Sequence, residues 1–266
     1  MKISNLTNEN KKIIEQKGPF QILEHTRDLS VSPMESVSKY FMSEMGVKQR
    51  QLLVIMKGET GVITQAGAMQ WSLGSIEATT GVSGAKDLLG KLGKSMVTSE
   101  SVIKPEYKGK GFLMLEPTYK HIILFDMREQ PEGLVIEDGL FLAAESSVNL
   151  SVQSRKSFSS VAGGEGLFNT KLTGEGIVAL ESNVPIKELI QFELNNDVLK
   201  IDGNMAIAWS PSLSFTVERS SKSLIGSAVN KEGLVNVYRG TGKVLMSPVA
   251  NASIFKGAFA EGIERN

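Results

Sequence analysis

The segment LTGEGIVAL at residues 172–180 decides the fold, because similar segments stand at two other places in the chain. Its Gly-x-Gly signature occurs as Gly109-Lys110-Gly111, Gly174-Glu175-Gly176 and Gly240-Thr241-Gly242. An apolar run follows each signature, and the first glycines lie at 109, 174 and 240, a period of about 65 residues. A fixed period of this size indicates duplication, so the chain is predicted to hold three copies of one unit.

A second marker keeps the same period. A glutamate followed by a small residue and an apolar pair stands shortly before each Gly-x-Gly, as Glu100, Glu165 and Glu232. If pseudo-threefold symmetry relates the copies, the three carboxylates form a ring or three equivalent surface sites. One reading is a site for a cation or a basic partner. The other is structural, with each carboxylate accepting hydrogen bonds from turn amides or pairing with a neighbouring copy. Repetition favours the structural role, since catalysis rarely needs triplicate geometry.

Apolar alternation predicts that the copies are made of short, half-buried β-strands. Leu52, Val54 and Met56 alternate with other residues, and 148–152 and 213–217 show the same pattern. We therefore predict an all-β domain with an N-terminal extension and a C-terminal tail. The predicted segments are an extension at 1–51, repeats at 52–117, 118–182 and 183–248, and a tail at 249–266. The repeated glycines predict turns or bulges with positive φ, whereas a phosphate-binding loop would need a following helix.

Two flanking segments have helical patterns. Ser32-Pro33-Met34-Glu35 has the form of a capping box with proline at the first helical position. Apolar residues then recur at helical spacing up to Met45, which predicts a helix over about 33–45. The tail around 251–265 is predicted to be a second helix. Because both lie outside the repeats, we expect them to cover a sheet edge or an open end of the core.

The composition excludes several function classes. Lys+Arg and Asp+Glu both number 29, and this zero net charge argues against nucleic-acid binding by the chain as a whole. The chain has no cysteine, so disulfides, thiolate metal sites and cysteine nucleophiles are excluded. His25 and His121 have no metal-ligand spacing around them, and no catalytic constellation is recognisable. We therefore predict no enzyme, no cofactor and no metal. The N-terminal residues lack an apolar signal core, which favours a cytoplasmic location.

Basic residues also recur between the two halves of each copy, next to apolar ones. They are Lys86, Lys91 and Lys94 in copy one, Arg155 and Lys156 in copy two, and Arg219 and Lys222 in copy three. They fit solvated loops or a rim of long side chains whose stems lie on apolar surface. The alternative is one basic, partly apolar face suited to an anionic protein partner or a membrane surface.

Several motifs resemble the altered-inheritance-of-mitochondria family, which includes mitochondrial biogenesis proteins and many bacterial members. The motifs are Gly67-Ala68-Met69, Gly164-Glu165-Gly166-Leu167-Phe168, Leu172-Thr173-Gly174-Glu175-Gly176, Ile201-Asp202-Gly203, and Glu232-Gly233-Leu234 leading to Gly240-Thr241-Gly242. The likeness covers about 50–248, and the missing transit peptide favours a bacterial-type member. Copy one departs from it, since Ser99 and Ser101 replace the glycines of copy two.

The resemblance implies a fold similar to the tryptophan RNA-binding attenuator protein, a double-stranded β-helix type of unit, here in triplicate. It also implies homo-oligomers, with a trimer favoured. We see no matching RNA-binding residues, and fold alone does not carry function. The leading expectation is a non-enzymatic, oligomeric scaffold or binding protein. A small-ligand or RNA-binding module on the same fold is the alternative, and an enzyme that uses carboxylates alone is a weaker third.

Overall fold

The computed structural model describes residues 2–79, 104–154, 156–157, 168–219 and 234–249. Most of these residues form β-strands, which confirms the all-β class. The described part has one α-helix, α1 (Ser36–Glu44), and two short 3-10 turns, Met127–Glu129 and Ile186–Glu188. The strands are β1 (Lys11–Lys17), β2 (Phe20–His25), β3 (Arg50–Lys57), β4 (Val62–Thr64), β5 (Met69–Thr79), β6 (Glu106–Leu115), β7 (His121–Asp126), β8 (Leu134–Ile136), β9 (Phe141–Glu145), β10 (Val148–Ser154), β11 (Lys156–Ser157), β12 (Phe168–Gly174), β13 (Ile177–Ser182), β14 (Ile190–Asp202), β15 (Ala206–Trp209), β16 (Ser214–Arg219) and β17 (Leu234–Met246).

The strands form two sheets with many non-sequential neighbours. The first sheet has the order β1-β2-β3-β6-β4-β9-β13-β7, and β5 also pairs with β6. The second has the order β10-β12-β8-β15-β17-β16-β11, and β14 also pairs with β17. All of these pairs are antiparallel except the short parallel contact between β11 and β16. Strands from distant parts of the chain therefore interleave in each sheet.

Three glycine-rich stretches organise the pairing. Strand β6 pairs with β3, β4 and β5, and strand β17 pairs with β14, β15 and β16. In the middle of the chain, the stretch equivalent to β6 and β17 forms two separate strands, β12 and β13, with residues 175–176 between them. Strand β12 pairs with β8 and β10, while β13 pairs with β7 and β9. The long strands thus change partners near their centres, at the glycines described below.

The N-terminal extension contains a hairpin that sequence periodicity did not predict. Strand β1 pairs with β2, Gly18 makes the turn with φ of 55°, and β2 adds to the edge of β3. Phe20 and Ile22 are fully buried and alternate as a strand should, but β1 is mostly exposed and polar, and its adjacent Ile13 and Ile14 break any alternation. The hairpin therefore covers a sheet edge, a role that was expected of the flanking helices.

Helix α1 lies inside the predicted range but begins three residues later, at Ser36. The Ser32 hydroxyl donates to the Glu35 carboxylate at 2.8 Å, and the Glu35 N–H donates to the Ser32 carbonyl. These two bonds form a turn before the helix, so the helix N-terminus receives no side-chain cap. None of its residues is buried, and Met34 just before it is 93% exposed. The expectation that this helix covers the core is therefore wrong. The second predicted helix, around 251–265, lies outside the described residues.

Apolar clusters run through the whole array and join its parts. The first cluster packs Leu52 and Leu113 against Leu124 and Ala179, so it holds strands 3 and 6 against strands 7 and 13. The second contains Ile136, Leu172, Val178 and Ala208 and holds strands 8, 12 and 13 against β15. The third joins β14 to β17 with Val135 of β8 and includes Trp209, Phe215 and Tyr238, whose ring centroids lie 5.0–5.5 Å apart. Successive parts of the chain therefore share continuous cores.

Candidate functional site

The six repeated glycines all have positive φ, between 92° and 157°. A Cβ on Gly109 would lie 1.9 Å from the Ser75 carbonyl oxygen, and one on Gly111 would lie 2.0 Å from the Leu73 carbonyl oxygen. At Gly174 and Gly176 the nearest atoms belong to Ser147, at 2.7 and 2.8 Å. These glycines therefore let a neighbouring backbone or side chain approach closely where the strand bends. In the third pair, a Cβ on Gly242 would lie 2.8 Å from the Ser210 side chain, whereas a Cβ on Gly240 would have no neighbouring atom closer than 3.8 Å.

The side chains of the other predicted site residues are not described by the structure. Glu100, Glu165, Glu232, Lys86, Lys91, Lys94, Arg155 and Lys222 lie outside the described residues. For Lys156 and Arg219 the backbone is described in β11 and β16, but the side chains are not. The glutamate ring and the basic face therefore stay predictions from the sequence.

The two histidines lie near one polar cluster at the start of the chain's core. His25 Nε2 lies 3.1 Å from the Gln51 side-chain oxygen. Arg50, which is buried, donates from Nε and Nη2 to the Glu24 carboxylate at 3.0 and 2.8 Å. Burial and, to a smaller extent, the positive charge of Arg50 together lower the pKa of His121 to about 4, against the opposing effect of Glu24. His121 is therefore neutral at pH 7. Among the described residues, no group of three His, Asp or Glu side chains is placed to hold a metal ion.

A cleft of about 260 Å³ opens between the β1–β2 hairpin and the loop after β3. Its polar lining includes Gln16, Lys57, Glu59 and Glu145, and its apolar lining includes Met56 and Val62. The Glu145 carboxylate accepts a hydrogen bond from the Ile177 N–H at 2.7 Å, so one oxygen is engaged in holding β9 to β13. The cleft is small and carries both charge signs, which suits a small polar molecule better than a large apolar one.

Two short strand pairs join parts of the chain that sequence spacing separates into different copies. Strand β4 pairs with β9 in the register Ile63↔Ala144 and Thr64↔Ala143. Strand β8 pairs with β15 in the register Val135↔Trp209 and Ile136↔Ala208. Except for Ile63, which is partly buried, all of these residues are buried.

The same extra hydrogen bond closes each of these pairs. The N–H of Gln65, just after β4, donates to the Leu142 carbonyl at 2.8 Å. The N–H of Glu137, just after β8, donates to the Ile207 carbonyl at 3.0 Å. Leu142 in β9 and Ile207 in β15 lie at register shifts. Each is an extra residue without a partner in the strand on the other side, which is β13 for Leu142 and β17 for Ile207. In both pairs, therefore, the carbonyl of the bulged residue accepts a hydrogen bond from the neighbouring strand. We call the β4–β9 pair and the β8–β15 pair the filled junctions.

Strands β5 and β14 also have an open edge, as do β1, β7 and β10 at the ends of the sheets. Among the described strands, residues 69–79 of β5 pair with β6 alone, and β14 pairs with β17 alone. Side chains along both edges are exposed: Val198 at 55%, Met69 at 42%, and Ser72 and Lys200 also in the exposed class. These edges were not predicted as a site, and the nearest motif named from the sequence, Gly67-Ala68-Met69, ends at the first residue of β5. An open edge is a template for pairing with another strand.

Sequence and structure comparisons place the chain among known proteins. The family model described as Mitochondrial biogenesis AIM24 matches residues 42–249. No protein in the curated collection matches the chain. The crystal structure of protein SPYM3_0169 from Streptococcus pyogenes is similar with a TM-score of 0.56 and 25% sequence identity, over 77% of this chain and 89% of that one. No helix among the described residues is long and apolar enough to cross a membrane.

Proposed function

Because the chain belongs to the Mitochondrial biogenesis AIM24 family over residues 42–249, we propose that it is a non-enzymatic, homo-oligomeric scaffold or binding protein of the cytoplasm. The family that the motifs predicted is thereby confirmed, while its members' roles do not define a reaction for this chain. The proposal includes three repeats of a unit similar to the tryptophan RNA-binding attenuator protein, in a bacterial-type member. A trimer is the expected assembly.

The observation that carries the proposal is one pairing scheme that recurs three times. In each unit a glycine-bent strand pairs with the other strands of that unit, except for the two-residue β11, which pairs with β16. The bent strand is β6 in the first unit, β12 with β13 in the second, and β17 in the third. We call β4, β8 and residues 197–202 of β14 the exit strands, because each pairs with the first half of its bent strand. We call residues 69–74 of β5, together with β9 and β15, the entry strands, because each pairs with the second half.

The register supports this equivalence residue by residue. Each entry strand has a register shift at its second position, at Gln70, Leu142 and Ile207. The exit strand of unit one pairs with the entry strand of unit two, and that of unit two with that of unit three. A unit that uses its edges to bind the next unit suits an assembly protein better than a lone catalyst, since every repeat contributes the same contact.

The first experiment measures the mass of the assembly. Light scattering and native mass spectrometry of the full chain are expected to give about three times its mass of 28.8 kDa, with no larger open polymer. A chain that stays monomeric at all concentrations from about 1 to 100 µM would overturn the scaffold proposal.

The cleft beside the N-terminal hairpin favours a small-ligand module as the second candidate function. Lys57 and Glu59 line it together, so a zwitterion such as a free amino acid is the class of probe that matches its charges. Thermal unfolding with a panel of amino acids at millimolar concentration is expected to give a shift of a few degrees for at least one of them, reduced in Glu59→Gln. The absence of any shift in the wild-type chain would remove this candidate.

A further inference from the structure

One exit strand and one entry strand are left over at the two ends of the array. The exit strands β4 and β8 have each found the entry strand of the following unit. The exit strand of the third unit, 197–202, has no such partner among the described residues, and neither has the entry strand of the first unit, 69–74. Within one chain these two edges do not pair with each other. The chain therefore carries the two halves of a third junction at opposite ends.

The two filled junctions fix the register of the third. On the exit side, pairing to the bent strands makes Ile201 equivalent to Ile136, because they face Asn236 and Thr170 at matching positions of β17 and β12. On the entry side, Trp71 is equivalent to Ala143 and Ala208, because each is the residue just after the register shift. Since Ile136 faces Ala208, Ile201 is expected to face Trp71.

We propose that the exit strand of one copy pairs antiparallel with the entry strand of a second copy, with Ile201 opposite Trp71 and Lys200 opposite Ser72. The Asp202 N–H then donates to the Gln70 carbonyl, as Gln65 does to Leu142 and Glu137 does to Ile207 in the filled junctions. This inference rests on the proposed homo-oligomeric scaffold, and it names the surface and the partner.

The side chains at the two edges fit this occupant. The facing pair Ile201 and Trp71 is apolar, as are most facing pairs of the filled junctions. Ile201 is buried, and the partly buried Trp71 packs against Leu53 and Met114. The outward positions are Ser72 and Lys200, both exposed, where the filled junction between β8 and β15 has the buried Trp209 and Val135. A lysine on an edge strand discourages indiscriminate pairing, and a small serine opposite leaves room for it. The edge is therefore selective for the entry strand of this chain.

The symmetry of the contact also follows. Each copy gives its exit strand to one neighbour and its entry strand to another, so the contact is heterologous and closes into a ring when the rotation per copy allows it. A trimer would place nine units in one continuous array.

Cysteine pairs test the register directly, because the natural chain has no cysteine. Facing residues of antiparallel strands have Cα atoms about 4.5–5.5 Å apart, within the range that a disulfide spans. Ser72→Cys and Lys200→Cys chains are mixed, oxidised and run on a non-reducing gel. In a randomly mixed ring of three, at most about half of the chains can be cross-linked, and we expect the covalent two-chain product to approach that limit at full oxidation. Ser75→Cys mixed with Lys200→Cys is the matched control, since Ser75 is also exposed but lies roughly 10 Å further along the strand. It is expected to give less than about a tenth of that product.

The outcomes separate the two proposals. Suppose that the chain forms oligomers of the expected mass. If no disulfide then forms between Ser72→Cys and Lys200→Cys, or no more than in the Ser75→Cys control, the edge pairing is overturned. The scaffold proposal is not affected by that result. Monomers that give no product overturn both. In the double variant Ser72→Cys/Lys200→Cys, the proposal predicts covalent species larger than one chain. The opposite result is a single chain that migrates faster because it holds an internal disulfide, together with no product from the mixed single variants. That result would mean that the two edges pair within one molecule, and it would overturn the choice of partner. Far-ultraviolet circular dichroism and urea unfolding check that each variant remains folded, as expected for substitutions of exposed side chains.

Discussion

The two filled junctions and the two outer edges use the same backbone pattern in opposite environments. At the filled junctions the entry strands present Ala143, Ala144 and Ala208, which are fully buried. At the outer edges Ser72, which is equivalent to Ala144, and Lys200, which is equivalent to the buried Val135 of β8, are both exposed. The facing side chains of the filled junctions are thus mostly buried and apolar, whereas the outer edges that we propose to pair between copies carry exposed polar ones.

On the proposed three-repeat organisation, this difference shows how a duplicated chain can end without changing its fold. Each unit keeps the bulge and the backbone acceptor that a junction needs, but the terminal units replace the apolar outward residues with polar ones. The N-terminal hairpin follows another solution, since it covers the free edge of β3 with β2 directly. The permanently covered edge of β3 is thus distinct from the two edges that we propose to pair in the assembly.

The largest expected effect comes from placing one charge at equivalent positions of a filled junction and an outer edge. Ala144→Arg introduces an unpaired charge into the second core and is expected to cost about 4 kcal/mol or more, or to prevent folding. Ser72→Arg at the equivalent edge position is expected to change the free energy of unfolding of the monomer by less than about 0.5 kcal/mol. Urea unfolding of both variants at low concentration checks this. Equal losses of stability would mean that the edge is already buried.

The next effect compares the first and third units at their bent strands. Gly109→Ala would place Cβ 1.9 Å from a backbone oxygen, so it is expected to cost about 3 kcal/mol or more. Gly240→Ala has a similar φ of 118° but no close neighbour, so strain alone predicts a cost of about 1–2 kcal/mol. Thermal and urea unfolding measure the difference. Indistinguishable costs would show that close approach does not separate the two bends.

A smaller effect should appear on acidification, at the start of the second unit. The pKa of His121 is lowered from about 6.5 to about 4 in the folded chain, so the unfolded chain binds the extra proton first. Stability is therefore expected to fall as the pH drops from 6.5 towards 4, by about 1–2 kcal/mol between pH 7 and 5. His121→Gln should flatten the curve of unfolding free energy against pH in this range. An unchanged slope would place the titrating group elsewhere.

The smallest effect concerns the third unit, at more acidic pH. Hydrogen bonds from Arg239, at 2.6 and 2.8 Å, and from Thr216 lower the pKa of Glu218 to about 2, below its ordinary value of 4.5. A depressed carboxyl pKa adds stability above pH 4.5 that is lost as the pH falls towards 2. Because this pair is well exposed, Glu218→Gln is expected to cost no more than about 1 kcal/mol at pH 7. Unfolding at pH 7 and pH 3 measures it, and a larger loss at pH 3 than at pH 7 would contradict the stated sign.

Periodicity predicted the parts of the fold that repeat, and missed those that occur once. The glycine spacing pointed to the bent strands, since a backbone that needs positive φ leaves a mark in the sequence. Strand β1 was missed because Ile13 and Ile14 are adjacent and exposed, which gives no alternation. The helical stripe that includes Met34 and Met45 correctly indicated helical spacing, but both residues are exposed, so apolar spacing alone did not predict burial.

The edges were the hardest part to predict. Pairing between units is made by backbone groups, and no residue type is required to donate an N–H or offer a carbonyl. The equivalence of Trp71 with Ala143 and of Lys200 with Val135 appears in the register and cannot be read from residue identity. The charge and glutamate patterns, by contrast, were visible in the sequence but lie largely in segments between the described strands.

Amide hydrogen exchange of the assembled chain, read by mass spectrometry, measures whether the outer edges pair between copies. We expect residues 69–74 and 197–202 to be protected as strongly as the filled junctions at 62–64 and 134–136 when the chain is concentrated. Protection of the outer edges should then fall on dilution while that of the filled junctions persists. Outer edges that exchange at the same fast rate at every concentration, in a chain shown to be oligomeric, would contradict this pairing.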